Sequence, residues 1–126
     1  MTEEQPSRRK APRVPRRERV FVRILESDRH PDLKGTMARC TTADVSRGGL
    51  RVAVDYPVEV NSRLDLWAKL PEHPGTFLLT GEVRWTMAGD LEDEHILGIE
   101  LVPDGTRPDA DLTEWQHLLT ALARHD

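Results

Sequence analysis

Six short runs of alternating apolar and polar residues constrain the fold of this 126-residue chain more than any other feature. In the first run, residues 20–24, three β-branched residues alternate with Phe21 and Arg23, which is the pattern of a strand with one buried face. Turn residues separate the runs, and no helical segment lies between them. The pattern therefore predicts an antiparallel sandwich or small barrel. The other five runs are residues 36–45, 50–54, 64–68, 76–85 and 94–102.

The C-terminal segment has a different period. Its apolar residues recur at helical spacing, and Asp111 with Glu114 resembles a capping box. The chain is thus expected to divide into a flexible basic arm (residues 1–15), a barrel (residues 16–105) and a helix packed on it (residues 106–126). Trp67, Trp115 and Cys40 are expected in the core. The apolar residues of the helix are Leu112, Trp115, Leu118, Leu119 and Leu122.

Charge is divided unevenly along the chain. Residues 1–23 hold eight basic and three acidic residues, a net charge of +5, whereas the remainder has a net charge of −9. A basic arm on an acidic body attracts anions locally without making the whole surface adhesive to nucleic acid. The division favours a compact anionic ligand over a long polyanion.

The residues that commonly carry catalysis show no matching pattern. The five histidines lack metal-ligand spacing, the single cysteine has no sequence-level partner, and no phosphate-binding loop occurs. We therefore expect a binding protein, not an enzyme, with neither metal nor cofactor. No apolar stretch approaches the length of a membrane span, and the first residues lack the apolar core of a signal peptide, so a cytoplasmic location is expected.

A turn of sequence Asp44-Val-Ser46-Arg-Gly-Gly49 joins the second and third runs. It has a purely structural explanation, in which Asp and Ser bond the local backbone and the two glycines supply positive φ angles. A second explanation takes in the arm, where Arg9 and Arg13 stand four residues apart and can converge on one ligand. Arginine forks grip phosphate and stack on flat bases.

Together these residues resemble the PilZ family of bacterial cyclic-di-GMP receptors. The family carries R-x-x-x-R near its start and D-x-S-x-x-G soon after, here Arg9–Arg13 and Asp44–Gly49. The later segments Gly-Glu-Val-Arg-Trp85 and Leu-Gly-Ile-Glu100 also look like family strands. The resemblance covers roughly residues 8–102 and implies a six-stranded antiparallel barrel that binds cyclic-di-GMP and signals to an effector protein.

The resemblance also implies roles for individual residues. The arginines would contact phosphate and guanine, while Asp44 and Ser46 would accept from guanine N–H groups or orient the arginines. Gly49 would keep the turn close to the ligand, and Trp85 would either stack on a guanine or pack in the core. The implied ligand-binding residues are Arg8, Arg9, Arg13, Asp44, Ser46, Gly49 and Trp85.

Three alternatives stay open. Arg19 and Arg23 also form R-x-x-x-R, although their use would consume the first strand. The protein could keep the fold and bind only protein, as an adaptor without nucleotide. It could also be a small nucleic-acid-binding barrel, but that function needs exposed aromatic residues among Lys and Arg, and aromatic residues make up only 5% of the chain.

Overall fold

The computed structural model describes residues 13–15, 18–26, 37–55, 57–103 and 110–123. Within these ranges lie seven strands and one helix. The strands are β1 (Arg13–Pro15), β2 (Arg19–Glu26), β3 (Met37–Ser46), β4 (Gly49–Val54), β5 (Arg63–Ala68), β6 (Phe77–Ala88) and β7 (His95–Val102), and the helix is α1 (Ala110–Ala123).

Six of the strands close into an antiparallel barrel. Their order is β3-β2-β5-β6-β7-β4, and β4 pairs back onto β3, which completes the circle. β1 lies end to end with β2 along the same edge of β3, opposite residues 44–46. The predicted six-stranded antiparallel barrel is confirmed.

The interior follows from the alternation in the sequence. On β2, Val20, Val22 and Ile24 are almost completely buried, whereas Phe21 is 45% exposed on the outer face. Burial of these apolar side chains supplies the main driving force for the barrel. Cys40 lies in the same core, as expected.

The structure corrects two expectations about the barrel wall. Trp67 is not a core residue, because it lies on the outer face of β5 between the buried Leu66 and Ala68. Trp85, for which core packing was one alternative, does not point inward as Val83 does, because a register shift between them turns its side chain outward. Strand β1 was not among the six predicted strands, because its three residues are too few to show an alternating pattern.

Helix α1 packs on the barrel core through Trp115 and Leu119, both buried. The predicted capping box is wrong, because the helix begins at Ala110 and both acidic residues bond elsewhere. Leu78 N donates to Asp111 Oδ2 over 2.7 Å, and Glu114 contacts His73. No helix among the described residues is long and apolar enough to cross a membrane.

Candidate ligand-binding site

The Asp44–Gly49 motif forms the hairpin between β3 and β4. Arg47 and Gly48 make the two-residue turn, and the pairs Ser46–Gly49, Val45–Leu50 and Asp44–Arg51 lie opposite each other. Val45 and Leu50 point into the core. The alternation of a strand then places Asp44 and Ser46 on the outer face of the barrel.

Asp44 is a buried carboxylate on this outer face, only 4% exposed. Arg51 Nε donates to Asp44 Oδ2 over 2.6 Å, and the Nη2 atom of Arg51 also contacts this oxygen. Two N–H groups on one carboxylate fix its orientation. Asp44 is thus a preoriented acceptor in the barrel wall.

Ser46 connects the hairpin to the C-terminal helix. Its hydroxyl donates to the carbonyl oxygen of Gly49 over 3.2 Å, and its own carbonyl accepts from Trp115 Nε1 over 2.9 Å. Trp115 is completely buried and meets Phe77 edge to face. The helix therefore holds the end of β3, and with it the motif, in place.

The purely structural explanation of the motif required positive φ angles at its two glycines. Neither Gly48 nor Gly49 has a φ angle in the left-handed region. Gly49 is instead required by close packing: a Cβ atom there would collide with the carbonyl oxygen of Ile99 on β7. At Gly48 a Cβ atom would have no neighbour within 4 Å. The missing side chain thus lets β4 approach β7 closely at Gly49.

One row of paired residues crosses the outer face next to Asp44. It runs from Trp85 on β6 through Gly98 and Arg51 to Asp44 on β3. A Cβ atom at Gly98 would collide with the indole of Trp85, so the ring lies over this glycine. Trp85 and Asp44 are three strand spacings apart, about 14 Å. The row thus presents an aromatic ring, a guanidinium and a carboxylate on one surface.

The arm reaches this surface through its backbone. Arg13 lies opposite Ser46 and Pro15 lies opposite Asp44 in the β1–β3 pairing. Arg8 and Arg9 lie outside the described residues. Arg19 and Arg23, the alternative arginine pair, belong to β2, and Arg23 Nη2 binds Asp65 over 3.0 Å. The pairing brings the end of the first motif beside the second.

A depression of about 630 Å³ lies beside Arg51, towards the β6–β7 loop. Among the described residues, four carboxylates line it and Arg51 is the only basic residue in its lining. An excess of negative charge repels phosphate. The row from Trp85 to Asp44, not this depression, has the chemistry that suits an anionic ligand. The four carboxylates are those of Asp55, Asp90, Glu92 and Glu94.

Sequence reasoning missed two residues of the row. Arg51 could have been found, because a two-residue hairpin closed by Ser46 and Gly49 necessarily puts position 51 opposite position 44. Gly98 gave no signal of its role, since its contact with Trp85 depends on the register shift in β6.

Other reactive groups are few among the described residues. Burial raises the pKa of the Cys40 thiol to about 12, so it is protonated and a poor nucleophile at neutral pH. The described parts of the chain contain no group of three side chains able to hold a metal ion.

Several solved structures share the fold of this chain. The PilZ domain of YcgR from Escherichia coli with c-di-GMP matches at a TM-score of 0.64 and 13% identity, over 94% of this chain and 93% of that one. The PilZ domain of CeSA from a cellulose-synthesizing bacterium matches at 0.57 and 18%, over 88% and 97%.

The Bacillus subtilis inhibitor of motility, MotI/DgrA, is also similar, with a TM-score of 0.66 and 16% identity. The match covers 94% of this chain but 52% of that protein, so the chain spans about half of its length. No curated protein matches this chain at a significant level.

The sequence itself matches the family model described as the PilZ domain over residues 7–116. This range takes in the hairpin, the whole barrel and the first half of α1. The chain therefore belongs to the PilZ domain family.

Proposed function

We propose that this protein is a cyclic-di-GMP receptor that relays the signal to a partner protein. The observation that supports the proposal is the pairing of Arg13, the last residue of the R-x-x-x-R motif, with Ser46 of the D-x-S-x-x-G motif. The similar PilZ domain of YcgR is described with c-di-GMP, which agrees with this ligand.

Each part of the proposed site suits one part of the ligand. Arg8, Arg9 and Arg13 bind the two phosphates and stack on guanine. Asp44 and Ser46 accept hydrogen bonds from guanine N–H groups, while Gly49 leaves room for close approach of the ligand. Trp85 offers its ring to a guanine. Arg51, which already holds Asp44, adds positive charge beside the phosphates.

The signalling step is the closing of the arm. In this proposal the arm folds over the ligand, and the new surface made by the arm and ligand is what the partner recognises. β1 contacts both β3 and α1. A shift of β1 on ligand binding therefore also changes its contact with the helix.

Site variants test the proposal by calorimetry. Arg13→Ala and Asp44→Asn should each weaken cyclic-di-GMP binding by about tenfold or more, since each removes a charged contact to the ligand. Arg19→Ala is the matched control, because it removes an arginine from β2 and should leave the affinity within about twofold. Equal losses in all three variants would contradict the assigned site.

A further inference from the structure

A second surface lies on the wall formed by β2 and β5. Phe21 and Trp67 are directly opposite each other across these strands, and Leu78 of β6 adjoins Trp67 in the same row. Phe21 is 45% exposed, and Trp67 and Leu78 are partly exposed. We call Phe21, Trp67 and Leu78, with Arg19 and Arg23, the aromatic stripe.

Arg19 gives the aromatic stripe a positive charge, whereas the charge of Arg23 is balanced by its ion pair with Asp65. Arg19 and Arg23 project from the same face of β2 as Phe21, because they are two residues away on either side. Arg19 is exposed, and the Arg23 guanidinium lies 5.3 Å from the centre of the Trp67 ring while bound to Asp65. Aromatic residues and arginine are the types enriched in protein–protein interfaces.

The complementary surface is the loop between β6 and β7. It contains Asp90, Glu92, Asp93 and Glu94 around Leu91, whose side chain is 71% exposed. An apolar side chain surrounded by carboxylates matches, in polarity and charge, an aromatic stripe that carries the exposed Arg19.

The loop presents Leu91 on a fixed backbone. The Glu94 carboxylate accepts from the N–H groups of Asp90 and Leu91 over 2.8 and 3.2 Å, and Gly89 N donates to Glu94 O over 2.8 Å. Gly89 makes this possible, because a Cβ atom there would collide with the Glu94 side chain. A preorganised loop loses little entropy on binding.

A molecule cannot join its own two surfaces. Leu78 is part of the aromatic stripe and Met87 precedes the loop, and both belong to the single strand β6. Nine residues of extended strand separate them by about 30 Å. The occupant of the stripe must then come from another molecule.

We infer that the Leu91 loop of one copy of this protein docks on the aromatic stripe of a second copy. The contact is heterologous: each molecule inserts its Leu91 loop into one neighbour and binds the loop of another neighbour on its aromatic stripe. Association therefore continues into rings or chains. The inference does not depend on cyclic-di-GMP.

Complementation between two variants tests this geometry. Leu91→Ser removes the loop anchor, Phe21→Ser removes part of the stripe, and Val60→Ser, which alters a 44% exposed residue in another turn, is the matched control. In sedimentation velocity at increasing concentration, the parent and Val60→Ser should associate. Self-association of Leu91→Ser alone, and of Phe21→Ser alone, should be at least about tenfold weaker than that of the parent.

An equimolar mixture of Leu91→Ser and Phe21→Ser should form dimers and nothing larger, because one intact loop and one intact stripe remain. A monomeric parent, or a mixture that stays monomeric while the parent associates, would overturn the inference. If Phe21→Ser fails to fold, Arg19→Glu replaces it as the stripe variant. Retained cyclic-di-GMP binding by these variants separates this result from the nucleotide proposal.

Discussion

At the scale of single residues, the row from Trp85 to Asp44 depends on an arginine and a glycine that belong to neither sequence motif. Arg51 orients the buried Asp44 carboxylate, and Gly98 provides the flat surface under the Trp85 ring. The motif residues were predictable because their spacing is characteristic. Arg51 follows from hairpin register, whereas Gly98 required the structure.

Replacing Arg51 should destabilise the fold more than replacing an exposed arginine. Arg51→Met removes charged hydrogen bonds to the buried Asp44 carboxylate, which should lower the free energy of unfolding by about 1.5–3 kcal/mol. Arg63→Met, which removes a 3.6 Å pair with the partly exposed Glu82, should cost less than about 1 kcal/mol. Urea denaturation measures both, and equal losses would contradict the assigned role of Arg51.

A methyl group at Gly98 should displace the indole of Trp85. Gly98→Ala places a Cβ atom where the ring now lies, so Trp85 fluorescence should change and cyclic-di-GMP should bind at least about fivefold more weakly if the ring stacks on guanine. Gly48→Ala is the control, because its Cβ atom meets nothing within 4 Å. Unchanged affinity in Gly98→Ala would remove Trp85 from the site.

At the scale of elements, alternation predicted all six barrel strands but not their irregularities. Trp67 lies between the core residues Leu66 and Ala68, so strict alternation already placed it outside, contrary to its expected core position. Trp85 differs, because the register shift after Val83 breaks the period and cannot be seen in the sequence. β1 exists only through its pairing with β3, a tertiary effect.

The contact between α1 and the loop before β6 should depend on pH. A hydrogen bond to the Gly75 carbonyl, with further help from Glu114, raises the pKa of His73 above its ordinary value of 6.5. A raised histidine pKa adds stability that is complete below 6.5 and disappears as pH rises through the folded-state value.

Nuclear magnetic resonance titration of His73 should therefore show a pKa above 6.5, and Glu114→Gln should lower it. The stability difference between the parent and Glu114→Gln should be present at low pH and fade as pH rises. Glu72→Gln, in the turn before His73, controls for loss of a charge. A His73 pKa at or below 6.5 would contradict the contact with Glu114.

At the scale of the whole molecule, the division of charge acquires a structural meaning. β1, the described end of the basic arm, pairs with β3 beside the hairpin that holds Asp44. The acidic loop follows the last residue of β6 and precedes β7. Composition predicted the division, but only the strand pairing relates each half to a surface. The proposed nucleotide site thus uses the basic part of the chain, and the proposed docking loop uses the acidic part.

The central claim, cyclic-di-GMP binding by this chain, is tested most directly by calorimetric titration of the intact protein at modest salt. We predict saturable binding of cyclic-di-GMP and no measurable binding of cyclic-di-AMP or GTP at the same concentrations. This selectivity is expected because the proposed site pairs Asp44 and Ser46 with guanine N–H groups and Arg9 and Arg13 with the two phosphates. Absence of heat with cyclic-di-GMP, or equal affinity for cyclic-di-AMP, would contradict the account.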